Sequence, residues 1–360
     1  MERVTAELIE QPETYIPETW KVPKITRPGM FFRPAATHRC CAMEQLDQIL
    51  ARSIATFKEL SLKVTYQDSP VRACCYTMEQ VEFTVNLWEH RNNQKELMVE
   101  IQRTSGDSEI FYRYARSIFA ALFDGASTER DGVALAPCFS SHHTSNLMRL
   151  FEHQSEEATQ DVLAIVVNSL SSHTFSEKLM ALQTLATLVN PTTTLPSSAK
   201  EVAKAVLLGE GSSMALNGNR IGHDFIQKQL MCLVISRRWL NETKDGNRCL
   251  VDKAQYLALE ILANGVQLLE NSQEMNRLTG ASNGSLLIQS LGERIKNAAT
   301  EPHEACLAAR VLCCIDRLQP TVVRTRLGIQ EVRVAETIGR DSHAALEVES
   351  QKLRFALEVA

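Results

Sequence analysis

The sequence predicts an α+β module near the N-terminus, followed by an all-α domain. Three observations support this fold class. Apolar and polar residues alternate in four short runs between residues 62 and 101, which is the pattern of half-buried strands. Amphipathic segments with a helical period flank these runs on both sides. Beyond about residue 144 the helical period continues to the end, and no convincing alternating run appears.

The composition is that of ordinary globular domains. Of the 360 residues, 44% are apolar and 22% are charged, and this length predicts two or more domains. A net charge of −5 argues against broad nucleic-acid binding, which needs an excess of Lys and Arg. No apolar run is long enough to span a membrane, and the acidic N-terminus lacks the apolar core of a signal peptide. We therefore expect no nucleic-acid partner and no transmembrane segment.

The ten cysteines do not form a disulfide pattern. Six of them are adjacent pairs, Cys40–Cys41, Cys74–Cys75 and Cys313–Cys314, which cannot easily bridge within themselves, and no C-x-x-C occurs. Several lie among apolar residues, where a free thiol behaves as a small hydrophobic group. The cysteines therefore predict a reducing compartment, which is the cytoplasm or the nucleus.

Residues 1–38 are predicted to be an extended, Pro-rich arm. They contain five prolines and show no sustained period. We expect the arm to pack across the next domain, with the segment MFFRP (30–34) adding a short strand.

Residues 39–123 are predicted to form the α+β module, in the order helix, four antiparallel strands, helix. The segment MEQLDQILARSIATFKEL (43–60) has one apolar helical face. The alternating runs that follow are bounded by polar turns, which is typical of antiparallel strands. These runs cover about residues 62–66, 71–75, 81–87 and 97–101.

The turn RTSGDS joins the last strand to the second helix. Gly106 is the residue best able to take a positive φ there, and Asp107 or Ser108 is a natural helix N-cap. The helix then has an apolar stripe that includes Phe111, while Arg113 and Arg116 face outward.

The segment from residue 99 to residue 111 contains, in order, an alternating strand, a basic residue, a Gly-Asp turn and an aromatic residue. They are Val99, Ile101, Arg103, Gly106, Asp107 and Phe111, with Phe83, Val85 and Trp88 in the strand before. In these features and in element order, residues 42–123 resemble the kinase-associated C-terminal domain. The resemblance implies binding of acidic phospholipid headgroups or contact with a kinase. The sequence has no kinase motifs of its own.

A lipid-binding role would depend on a basic patch formed by Arg103, Arg113 and Arg116. Residues 40–123 carry nine Lys and Arg against eleven Asp and Glu, so the module is not basic overall. The alternative is that these arginines form the solvated face of the helix.

Residues 124–143 predict a linker, and residues 144–360 an all-α domain. Helices are expected over 223–241, 252–271, 284–299 and 302–318, among others, and Gly209 is expected to end a helix. The last helical segment, 321–358, is expected to break near Gly339.

Three segments share a Leu/Ala pattern, which suits tight helix–helix packing. They are LMALQTLATLV (179–189), YLALEILANGV (256–266) and CLAARVLCCID (306–316). Their spacing is uneven, so they form no clean consensus array. Long amphipathic helices joined by short polar loops favour stacked helical pairs. The domain therefore resembles a degenerate armadillo or HEAT-type α-solenoid in its architecture.

The candidates for site chemistry are weak. Cys138, His142 and His143 could ligate a metal together with His153, but the second ligand pair of a structural zinc site is missing. A linker rich in small polar residues is the alternative, and we predict no bound metal and no cofactor. No nucleophile–base pattern stands out, so the sequence predicts no enzyme.

Arg237, Arg238 and Trp239 end an apolar helix. Arg and Trp are frequent at interaction hot spots, which makes these residues candidates for partner contact. Cations at a helix C-terminus also stabilise the helix dipole, which is the structural alternative.

The sequence as a whole predicts a non-catalytic adaptor or scaffold that binds another protein through the solenoid surface and the α+β module. The alternative is a peripheral membrane protein that binds acidic phospholipids through the Arg103–Arg116 surface.

Overall fold

The computed structural model divides the chain into two compact units, residues 1–125 and 126–360. The structure describes residues 20, 22, 25–28, 35–68, 70–90, 93–123, 156–209, 214–216, 219–221, 223–236, 248–269, 272–280 and 284–359.

The first unit contains a five-stranded antiparallel sheet and two helices. Its strands and helices are β1 (His38–Ala42), a short 3-10 helix (Met43–Gln45), α1 (Leu46–Glu59), β2 (Lys63–Asp68), β3 (Val71–Tyr76), β4 (Glu82–Glu89), β5 (Glu96–Ser105) and α2 (Ser108–Phe123). The strand order across the sheet is β1-β5-β4-β3-β2.

The predicted order of helix, four antiparallel strands and helix is confirmed, but the sequence analysis missed β1. This strand pairs only with β5, at the edge of the sheet, and most of its residues are exposed. It therefore lacks the apolar alternation that identified the other strands. The predicted strand at 30–34 lies outside the described residues.

One face of the sheet forms the core of the first unit. The cross-strand partners Cys75 and Phe83, and Val85 and Ile101, are buried together on this face. Apolar residues of α1 and α2 complete the same core cluster. Trp20, from the arm, is also buried there, and its ring centroid lies 5.1 Å from that of Tyr66.

The turn between β5 and α2 has the predicted local structure. Gly106 has φ +92°, and a Cβ at this position would lie 2.7 Å from the Cα of Val81. The Asp107 carboxylate accepts hydrogen bonds from the backbone N–H groups of Glu109 (2.8 Å) and Ile110 (3.0 Å). Asp107 is therefore the N-cap of α2, since it satisfies two amides that have no partner within the helix.

The second unit is mainly helical. Its helices and strands are α3 (Glu156–Ser171), α4 (Phe175–Leu188), α5 (Pro196–Leu208), β6 (Met214–Leu216), β7 (Asn219–Ile221), α6 (His223–Ser236), α7 (Arg248–Leu268), α8 (Ser272–Gly280), α9 (Gly284–Lys296), α10 (Pro302–Leu318), α11 (Pro320–Arg324), α12 (Ile329–Ser342) and α13 (Ala344–Val359). Gly209 ends α5 in the left-handed conformation, with φ +68°, as predicted.

The helix α8 was not predicted, and two further features of this unit differ from the sequence prediction. The hairpin of β6 and β7 was missed, because three-residue strands are too short to show a period. The break expected near Gly339 is at His343 instead, and a second break separates α11 from α12. Gly339 lies inside α12, where a Cβ would come 2.3 Å from the backbone nitrogen of Glu347. The glycine is explained by this close approach of α12 to α13.

The helices of the second unit pack in two rows. In one row α4 packs against α7, α7 against α10, and α10 against α13. In the other row α3 contacts α6, α6 contacts α9, and α9 contacts α12. The rows are joined by the pairs α3–α4, α6–α7, α9–α10 and α12–α13. The three Leu/Ala segments lie on α4, α7 and α10, which are consecutive members of the first row.

Across the described ranges, every helix is too short or too polar to cross a lipid bilayer.

Candidate binding surfaces

The three arginines of the predicted basic patch each contact their own chain. Arg103 Nη1 donates to the carbonyl oxygen of Gly106 at 2.6 Å, which braces the turn before α2. Arg113 Nη2 lies 3.8 Å from Glu79 Oε1. Arg116 Nε donates to a backbone carbonyl one turn earlier in α2, at 3.4 Å. These contacts are exposed or half-exposed and therefore weak, but they reduce the number of donors that face outward.

Two other groups of residues were predicted from the sequence as candidate sites. Arg237, Arg238 and Trp239 lie outside the described residues, as do Cys138, His142 and His143. Within the described ranges, no three His, Cys, Asp or Glu side chains are grouped so as to hold a metal ion.

The outer face of the sheet, opposite the core, has a polar row that the sequence analysis missed. Cross-strand register aligns one polar side chain from each of the five strands. In order from β2 to β1 they are Gln67, Arg72, Asn86, Glu100 and His38. The sequence did contain a signal, because Asn86 and Glu100 alternate with core residues along their strands.

Glu100 is the hydrogen-bonding centre of this row, and only 2% of its surface is exposed. Its carboxylate accepts hydrogen bonds from the backbone N–H of Ala35 (2.6 Å), Trp88 Nε1 (3.2 Å) and Asn86 Nδ2 (3.3 Å). Asn86 Oδ1 in turn accepts a bond from Arg72 Nε at 2.8 Å. A buried carboxylate is costly unless such donors satisfy it. The network therefore holds the segment that leads into β1, since Ala35 lies three residues before the start of this strand.

The Leu/Ala segments leave a polar stripe on the surface of the second unit. When the three segments are aligned, their fifth and ninth residues are exposed or half-buried, while the residues between them are almost all buried. We call these six residues the repeat stripe. They are Gln183 and Thr187 on α4, Glu260 and Asn264 on α7, and Arg310 and Cys314 on α10.

Among the described residues, the side-chain amides of Gln183 and Asn264 have no hydrogen-bond partner. The stripe continues onto α13, because Arg310 Nε lies 3.8 Å from Glu349 Oε1. Glu349 also accepts a hydrogen bond from Lys352 Nζ at 3.0 Å. The surface thus combines amides that are open to a partner with charges that are paired across α10 and α13.

The thiols beside this surface are poor nucleophiles. Burial raises the pKa of Cys314 to about 11 and also raises the pKa of Cys313. The pKa of Cys306, which is fully buried on the same helix, is raised to about 12 by the same cause. A thiol must lose its proton to attack, and burial disfavours the thiolate form of these cysteines.

Comparisons of this chain with protein-family models, with curated proteins and with solved structures gave no match.

Proposed function

We propose that the protein is a non-catalytic adaptor that binds another protein through the repeat stripe. The observation that carries this proposal is the unpartnered amides of Gln183 and Asn264 on neighbouring helices. A side-chain amide both donates and accepts hydrogen bonds, so it can pair with either group of a peptide backbone. Amides on two packed helices, at the fifth position of one Leu/Ala segment and the ninth position of the next, suit an extended segment that crosses those helices.

The helical unit is proposed to be an armadillo-like or HEAT-like α-solenoid. Support comes from the two rows of helices, and from the position of the Leu/Ala segments on consecutive members of one row. Such stacking buries a continuous core and leaves a long surface for binding. The spacing of the segments along the chain is uneven, which fits a degenerate array better than a consensus one.

The first unit is proposed to be a kinase-associated C-terminal domain-like module. Two features support this proposal. One is the order of the helices and strands, and the other is the turn in which Gly106 is followed by the N-cap residue Asp107. Its phospholipid-binding role stays an alternative prediction. Sedimentation with acidic liposomes, with and without ~0.5 M salt, tests it, because electrostatic lipid binding is lost when charges are screened.

The adaptor proposal is tested by affinity purification with quantitative mass spectrometry. The stripe variant is the double substitution Gln183→Ala and Asn264→Ala. The matched control is Gln289→Ala, at an exposed amide of α9 in the other row. We expect the same captured proteins with the wild type and the control, and at least a tenfold loss of one of them with the stripe variant, which corresponds to about 1.4 kcal/mol.

Circular dichroism must show that all three proteins keep the same helical content. Full retention of every captured protein by the folded stripe variant would contradict the proposed surface. A wild-type protein that captures nothing above a bead control would contradict the adaptor function itself.

A further inference from the structure

His343 is the single residue between α12 and α13, and it is completely buried. Its backbone N–H donates to the carbonyl of Gly339 at 2.8 Å, and its carbonyl accepts the N–H of Glu347 at 3.2 Å. Its ring Nδ1 accepts a hydrogen bond from the N–H of Leu346 at 3.1 Å. The imidazole therefore occupies the N-cap position of α13, where Ser, Thr, Asp or Asn is more usual.

This cap works only while the ring is neutral. Nδ1 must keep its lone pair to accept the bond from Leu346, so the ring proton is on Nε2. Nε2 is buried and has no hydrogen-bond partner among the described residues. Protonation of Nδ1 would replace the acceptor with a donor and would place a cation at the positive end of the helix dipole.

The surroundings also oppose a charge on His343. The ring of His303, on α10, has its centroid 5.0 Å away, and the ring of Tyr256, on α7, meets that of His303 edge-on with the centroids 6.4 Å apart. A positive charge on His303 would lower the pKa of His343 further. The neighbouring acids cannot compensate, since Asp341 is exposed and Glu347 pairs with an arginine of α12.

We propose that His343 is an acid-sensitive joint, at which protonation uncaps α13 and releases it from α12 and α10. At Gly339 the backbones of α12 and α13 are in close contact. The first turn of α13 therefore cannot move away from its position without breaking this contact. Because α13 carries Glu349 and Lys352, opening would also alter one end of the surface around the repeat stripe. This last consequence depends on the proposed adaptor function, whereas the joint itself does not.

The direction of the pH effect follows from the buried neutral ring. Burial first, and then the nearby His303, lower the pKa of His343 well below 6.5 in the closed state. In an open state the ring is solvated and its pKa returns to about 6.5. The open state therefore binds a proton below about pH 6.5 while the closed state does not, so the closed state loses stability as the pH falls.

Hydrogen exchange of the full chain, measured by mass spectrometry on peptides from α13, tests this joint. After correction for intrinsic exchange rates, we expect the opening equilibrium constant to rise about tenfold from pH 7.5 to pH 5.5. His343→Asn keeps a capping oxygen but cannot titrate, so it should remove the pH effect. His173→Asn, at an exposed histidine between α3 and α4, should leave the effect unchanged.

The proposal is overturned if the opening equilibrium constant of wild-type α13 is the same at pH 7.5 and pH 5.5. It is also overturned if the rise in this constant persists in His343→Asn. If His343→Asn does not fold, the pH dependence of exchange in α13 of the wild type is compared with that in α8 of the same protein. The helix α8 serves as the reference because it contains no histidine. A change confined to α13 supports the joint, and an equal change in α8 overturns it. Failure of the adaptor proposal is distinguishable, because the exchange measurement needs no partner.

Discussion

Gly106→Ala is the most direct test of how the first unit is built. The glycine has φ +92°, a conformation that residues with a Cβ rarely adopt. The added methyl would also lie 2.7 Å from Val81 Cα and 2.8 Å from the carbonyl oxygen of Gln80. Both neighbours are backbone atoms, so a change of side-chain rotamer cannot relieve the overlap.

The expected loss of stability has two parts. A residue with a Cβ in a left-handed conformation costs about 1–2 kcal/mol. Forcing a methyl group into a closely packed site costs about 1–3 kcal/mol more, because the backbone has to shift. We therefore expect Gly106→Ala to lower the free energy of unfolding of the first unit by about 2–5 kcal/mol.

Urea unfolding monitored by tryptophan fluorescence measures this loss, since Trp20 and Trp88 are both in the first unit. With a typical urea slope, the midpoint should fall by about 1 M or more. Gly280→Ala is the control, because a Cβ there would meet nothing within 4 Å. A midpoint for Gly106→Ala equal to that of the wild type would refute the steric argument for this turn.

Substitutions at three further residues test the capping and packing described above, all by thermal or urea unfolding. Asp107→Ala removes the α2 cap and should cost about 0.5–2 kcal/mol, whereas Asp107→Asn, which keeps an acceptor, should cost less. Phe111→Ala should cost about 3–5 kcal/mol, because the ring is 4% exposed and lies 6.1 Å from that of Phe83. An unchanged melting temperature would contradict its place in the core. Gly339→Ala should cost about 1–3 kcal/mol, since its methyl would overlap the backbone of Glu347.

The first unit was predictable where one residue or one short period decides the structure. The turn at Gly106 and Asp107 is such a case, because positive φ and N-capping have strong residue preferences. The strand β1 was not predictable, since an exposed edge strand needs no apolar alternation. The polar row was missed for a different reason. Its buried centre, Glu100, looks like any solvated strand residue until cross-strand register brings Asn86 and Trp88 to it.

In the second unit most helices were predictable, but α8 and the points where α11 and α12 end were not. A glycine within a helical segment usually suggests a break, which favoured Gly339. The sequence could not show that Gly339 faces another helix at a distance where no side chain fits. His343 ranks low among N-cap residues, so its capping role could be seen only in the structure.

In the three Leu/Ala segments the buried positions are constant, whereas the positions of the repeat stripe vary. The third and seventh residues of the three Leu/Ala segments are the same in every segment, because each is buried against neighbouring helices and must keep its volume. The fifth and ninth residues change from an amide and a hydroxyl on α4, to an acid and an amide on α7, and to a cation and a thiol on α10. Arg310 pairs with Glu349 of α13, and Glu260 also has a partner within the chain, so the amides of Gln183 and Asn264 are the groups of the stripe that our proposal assigns to a binding partner. The constant, buried residues are Ala181, Ala258 and Ala308 at the third position and Leu185, Leu262 and Leu312 at the seventh.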